Sequence, residues 1–318
     1  MPLPPFTTPA PQPIFLPAMS SINAAPTPSP LPVQRKRSDG AESDASPAGP
    51  DETGEKKPAA DFALPKLRLH IQDITHKGAT VFLAAVEPAT LLPSSVRTVL
   101  AHLYQTPARP DTHVPSTRSV TLILRPMDGV AYTHGLDLDD DHKEIHFNLN
   151  YVAAQPLSRR AHEISGVVVH ELVHCFQYNG RGACPGGLIE GIADWVRLQA
   201  GLAPPHWKRP APKDVGGANG KGGGGGWDGP DRWDAGYQHT AYFLDYLEGR
   251  FGSGTVRSVN EKLRTQRYEA KPFWTELVGR PVEQLWDDYK EAARHGNMKN
   301  GSEDLVTDEE SSVEGAQT

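Results

Sequence analysis

Apolar and polar residues alternate through Leu67-Arg68-Leu69-His70-Ile71, a period of two that predicts a strand with one buried face. Val81-Phe82-Leu83 is a second, shorter strand candidate. Over 94–104 the period changes: Val96, Val99, Leu100 and Leu103 form one stripe, which predicts a helix. Residues 119–124, Ser-Val-Thr-Leu-Ile-Leu, read as a buried strand. The stretch 145–151 alternates again, as a half-exposed strand should.

After Tyr151 the spacing is helical. One helix is expected from an N-cap at Ser158 to a stop at Asn179-Gly180. Others are expected over about 187–200, 237–250, 254–266 and 281–294, with Pro281 suited to a first turn. Strands come first and helices after, so the fold class is α+β: a small, mostly antiparallel or mixed sheet followed by a helical half.

The rest of the chain lacks such periodicity. Fourteen of the 30 prolines fall in the first 60 residues, among Ala, Ser and Thr. Such a segment buries too little apolar surface to offset its ordering entropy, so 1–65 is expected to be a disordered tail. The stretch 296–318 holds six acidic residues and one Lys and is expected to be a second disordered tail. One domain, 66–295, lies between, with a Gly-rich loop at 216–226. That loop has no preceding strand and no Gly-Lys-Ser/Thr, so it is not a phosphate cradle.

Composition narrows the function classes. Net charge is −7, which disfavours a nucleic-acid binder and docking to anionic membranes. The longest apolar runs fall short of the 18 or so residues of a membrane span. The first residues, Met1-Pro2-Leu3-Pro4-Pro5-Phe6, do not resemble a signal peptide, so a cytoplasmic location is favoured over a secreted one. Cys175 and Cys184 are the two cysteines, expected as reduced thiols rather than as a bridge.

The candidate chemistry sits at His170-Glu171-Leu172-Val173-His174. On a helix, residues four apart share a face, so His170 and His174 can reach one metal ion. Glu171, next to the first of them, can reach a water on that ion as general base. The third ligand is not a histidine further along the same helix, because Gln177 and Gly180 stand where the metzincin spacing requires other residues. The following helix offers Glu190 and Asp194, again four apart, opposite a stripe of Leu188, Ile192 and Trp195. Inward-facing carboxylates are costly unless paired or metal-bound. Glu190 is therefore expected as third ligand and Asp194 as acceptor for the ring N–H of one ligand histidine. Gly191 is expected to let this helix approach the metal helix closely. For an oxyanion stabiliser, Tyr237 and His239 are the candidates, then His206.

The metal helix, and Pro185-Gly186-Gly187-Leu188-Ile189-Glu190-Gly191-Ile192-Ala193-Asp194-Trp195 after it, resemble the plant basic secretory protein family of zinc peptidases. Met127-Asp128-Gly129-Val130-Ala131-Tyr132-Thr133, Pro204-Pro205-His206-Trp207, Arg232-Trp233-Asp234-Ala235-Gly236-Tyr237 and Leu285-Trp286-Asp287-Asp288-Tyr289 resemble further parts of it, in order. The resemblance covers about 67–293. It implies a zincin-like, gluzincin-type peptidase fold with one zinc per chain. The chain departs from the family in its acidity, in lacking a recognisable secretion signal and in its Gly-rich loop before Arg232. The expected activity is zinc-dependent peptidase action on a peptide or protein substrate by a monomer, with no nucleic acid and no membrane, and the strand 145–151 is expected to be an exposed edge that pairs with an extended substrate. The alternative is a non-catalytic, zinc-containing binding or defence-type module on the same fold, which would need no general base.

Overall fold

The described residues of a computed structural model are 61–109, 112–210, 227 and 229–295. The expected tails over 1–60 and 296–318 and the Gly-rich loop 216–226 lie outside them. Residues 61–65, assigned from composition to the first tail, carry no regular structure, but Phe62 and Leu64 pack against the core.

Strand β1 (Lys66–Ile71) is followed by helices α1 (Lys77–Ala85) and α2 (Pro88–Tyr104), then strands β2 (Ser119–Arg125), β3 (Ala131–Leu136) and β4 (Asp139–Asn148). The sheet is mixed, in the order β1-β2-β4-β3. β1 pairs parallel with β2 and β2 with β4, while β3 pairs antiparallel with β4. The α1–α2 crossover lets β1 and β2 run parallel.

Three expectations are corrected here. Val81-Phe82-Leu83 is not a strand but part of α1, where Val81 and Phe82 are buried and Leu83 exposed. The strand expected over 145–151 ends at Asn148, whose side chain accepts from the Asn150 amide and caps helix α3 (Leu149–Ala154). That strand is also interior; the edges of the sheet are β1 and β3.

Helix α4 (Arg160–Phe176) follows a 3-10 turn (Leu157–Arg159) and starts from Arg159, with no cap from Ser158. It packs on the sheet at β3 and β4 and against α1, α2 and α5. Its buried stripe of Ile164, Val168, Leu172, Cys175 and Phe176 is as the periodicity implies. It ends earlier than Asn179-Gly180, because Thr117 and Tyr104 donate to the carbonyls of Cys175 (2.8 Å) and Phe176 (2.5 Å). Both cysteines are free; Cys175 is buried and Cys184 half-buried.

Helices α5 (Gly186–Gln199), α6 (Tyr237–Phe251), α7 (Thr255–Thr265), α8 (Ala270–Val278) and α9 (Val282–His295) complete the helical half. α8 had no counterpart in the pattern. Phe243 of α6 meets Trp286 and Tyr289 of α9 at 5.3 and 5.6 Å and Trp274 of α8 at 6.4 Å, ring centre to ring centre. Gly191 of α5 faces α6 rather than α4: a Cβ there would lie 2.3 Å from Thr240 Cγ2. The glycine between α4 and α5 is Gly166, whose missing side chain leaves room for the Arg197 guanidinium. Arg197 in turn meets Glu163 at 3.3 Å, a buried pair joining α4 to α5.

Candidate metal centre

Helices α4 and α5 each contribute one face to a shared cluster of polar side chains. Residues four apart on α4 bring His170 Nε2 and His174 Nε2 to 3.2 Å. Glu190 on α5 places Oε2 3.1 Å from His170 Nε2 and 3.8 Å from His174 Nε2. A tetrahedral ion with bonds of about 2.0–2.1 Å spaces its ligands about 3.3–3.4 Å apart. The three atoms therefore fit one metal ion, and His170, His174 and Glu190 are one of the two groups able to hold one among the described residues.

The groups behind these three side chains fix their orientation. Asp194, one turn along α5 from Glu190, places Oδ1 2.6 Å from His170 Nδ1. Once its Nε2 proton is released to a metal, the imidazole donates from Nδ1 to Asp194 and presents the Nε2 lone pair. The Gln177 amide lies 2.7 Å from His174 Nδ1, and its Oε1 has no partner. With Oε1 turned to that nitrogen, the second imidazole is oriented in the same way.

Electrostatics favour a cation here. Burial disfavours charge on His170, but Asp194, by charge and hydrogen bond, and Glu190 outweigh it and lift its pKa to about 10. Burial, helped by His170, holds His174 below the ordinary imidazole value. Burial acts to raise the Glu190 pKa, yet the two histidines bring it below the usual carboxylate value.

Glu171 is buried next to His170 in the chain, and the hydroxyl of Thr133 on β3 donates to its Oε2 at 2.6 Å. The edge strand thus holds the carboxylate expected to act as base. Thr133 was not singled out by the sequence pattern, because Ala131, Thr133 and Gly135 give that face of β3 no apolar signal.

Tyr237 opens α6 at a positive φ of 49°, an uncommon conformation for a side-chain-bearing residue. Its ring stacks on His170, 6.4 Å between centres and 13° between planes. Two glycines permit this. A Cβ on Gly187 would lie 1.8 Å from the Asp234 carbonyl oxygen, and Gly236 has φ 87° against the same turn of α5. Burial first, then Glu190, pushes the Tyr237 pKa up to about 12, so its phenol stays protonated at neutral pH.

His239 is not brought to the pocket. Two steps along α6 turn its side chain about 200° away from that of Tyr237. No hydrogen bond or ring contact joins it to His170, Glu171, His174 or Glu190 among the described residues. His206, exposed in the turn after α5, makes no such contact either.

A family model described as peptidase of plants and bacteria (BSP) matches residues 64–289, more than half of the chain. No curated protein and no solved structure was found to match.

Proposed function

Because the chain belongs to the basic secretory protein family, the peptidases of plants and bacteria, we propose that it hydrolyses peptide bonds with one zinc ion at this centre. His170, His174 and Glu190 are the ligands in this reading, and Glu171 is the general base. The observation that carries it is the convergence of two imidazole nitrogens and one carboxylate oxygen beside a second, separately held carboxylate.

A zinc ion bound there supplies Lewis-acid chemistry, lowering the pKa of a water towards ~7 and polarising the scissile carbonyl. The side chains do the rest. Glu171, steadied by Thr133, takes a proton from the attacking water and passes it to the departing amine. Tyr237, held protonated, donates to the carbonyl oxygen as negative charge develops. Asp194 and Gln177 keep the two imidazoles in the ligating tautomer.

The substrate lies along β3 in this reading, replacing the expectation that 145–151 would be the pairing edge. Among the described residues β3 pairs with β4 on one side and with no strand on the other, and Thr133 links it to the general base. An extended peptide added to that edge would pass close to Glu171. Such binding suits a peptide or protein substrate and a monomeric enzyme.

The test is a digest of a peptide library by purified protein, with and without a chelator, together with metal analysis. We expect cleavage that chelation abolishes and zinc restores. Fully folded, zinc-loaded protein that leaves every peptide intact would instead favour the non-catalytic module.

A further inference from the structure

The sheet carries a second convergence, on its face away from α4. Alternation along β3 and β4 sends Thr133, Ile145 and Phe147 towards α4, and Tyr132, His134, Glu144 and His146 the other way. On this outer face His134 pairs across the strands with Glu144, and Tyr132 with His146. His134 Nε2 lies 3.3 Å from His146 Nε2 and 3.6 Å from Glu144 Oε2, and His146 Nε2 lies 3.2 Å from Glu144 Oε2. This triangle has nearly the edges of the one between α4 and α5, and the same two-imidazole, one-carboxylate donor set.

We propose that His134, Glu144 and His146 form a second metal site, which takes a divalent transition-metal ion such as zinc and clamps the edge strand β3 to β4. The orientation of the donors supports it. His134 Nδ1 lies 2.8 Å from the Gly135 carbonyl oxygen, so that nitrogen carries the proton and Nε2 presents a lone pair to the cluster. Tyr132 stacks on His146, 4.7 Å between centres and 5° between planes, and on His134 at 5.9 Å. The Tyr132 hydroxyl is itself held by Arg125 at 3.0 Å. The ring planes of both histidines and the tautomer of His134 are thus set before any ion arrives, while His146 Nδ1 has no partner. Without an ion, two nitrogens and an oxygen within 3.6 Å compete for too few protons, whereas an ion takes all three lone pairs at once. Two imidazoles select a borderline transition metal over magnesium or calcium, which prefer oxygen.

The site is independent of the one between α4 and α5, so each can fail alone. The experiment is a titration of the metal-stripped full-length chain with Zn2+, and with Co2+ for its visible spectrum. The parent should bind two equivalents. His134→Ala/His146→Ala should bind one, His170→Ala/His174→Ala one, and the fourfold variant none. His134 is about half exposed, so His134→Ala alone, with Glu144→Gln as a second variant, tests the outer site even if a double variant does not fold. Each of these single changes should remove one equivalent from a chain that melts like the parent. The proposal is overturned if the folded parent binds a single equivalent that His170→Ala/His174→Ala removes. It is equally overturned if a second equivalent survives His134→Ala and Glu144→Gln. A parent whose one equivalent is lost only with the outer variants upholds this site and refutes the inner one.

Discussion

At the scale of single residues, three carboxylates crowd the inner pocket and should separate cleanly by substitution. Glu171→Gln keeps every proposed ligand and removes the proton acceptor, so we expect zinc retained and turnover down by roughly 10²–10⁴-fold. Glu190→Ala removes a ligand, and zinc binding at the centre should fail with activity. Asp194→Asn leaves the ligands but weakens the hold on His170, and metal affinity or activity should fall by roughly 10–100-fold. Zinc analysis and a peptide assay on the same preparations check all three. Thr133→Val removes a hydrogen bond to a charged group, worth about 1.5–3 kcal/mol, so kcat should drop roughly tenfold or more. Unchanged kcat in that variant would mean that Glu171 is positioned by packing alone. Most of these residues were legible in the chain, because the i,i+4 rule applies twice, to His170 and His174 and to Glu190 and Asp194. Thr133 and Gln177 were not, because each acts from outside its helix face: one from another strand, the other from the residue that ends α4.

At the scale of elements, the seam between α5 and α6 controls where Tyr237 stands. Thr240 donates to the Trp233 carbonyl at 2.8 Å and accepts from the Gly236 amide at 2.9 Å, holding the turn that delivers Tyr237. A Cβ on Gly191 would press into that threonine. Gly191→Ala gains about 1 kcal/mol of helix propensity but overpacks the seam at a cost of roughly 1–3 kcal/mol or more. The net should be destabilising and accompanied by lost activity. Gly186→Ala, at the open start of the same helix, should cost little stability. Denaturant melts of the two variants make the comparison. Local pattern served the long amphipathic helices well and the short elements poorly. Val81-Phe82-Leu83 looks like a strand because three bulky residues in a row mask the helical period of their surroundings. The alternation through Leu149 and Tyr151 hides the cap at Asn148 that ends β4. Strand order, which makes β3 an edge and β4 an interior strand, is a property of tertiary pairing that no local window contains.

At the scale of the whole molecule, the half-buried side chains that pack against the core reach back to Phe62 and Leu64. Deleting 1–60 should leave the melting temperature and metal content nearly unchanged. Deleting 1–65 removes both side chains, at about 2 kcal/mol, and should lower melting by roughly 4–8 °C. Equal melting of the two truncations would show that these side chains contribute nothing. Cys175 has a further consequence at this scale. It follows His174 directly, lies 2 % exposed, and is pushed by burial to a thiol pKa well above the ordinary value. A thiolate-seeking reagent can reach it only when α4 parts from its neighbours, so its labelling rate in native buffer, relative to the unfolded chain, is a clock for that opening. Metal loading should slow this clock, so one thiol measures how firmly an ion shuts the helix that grips it.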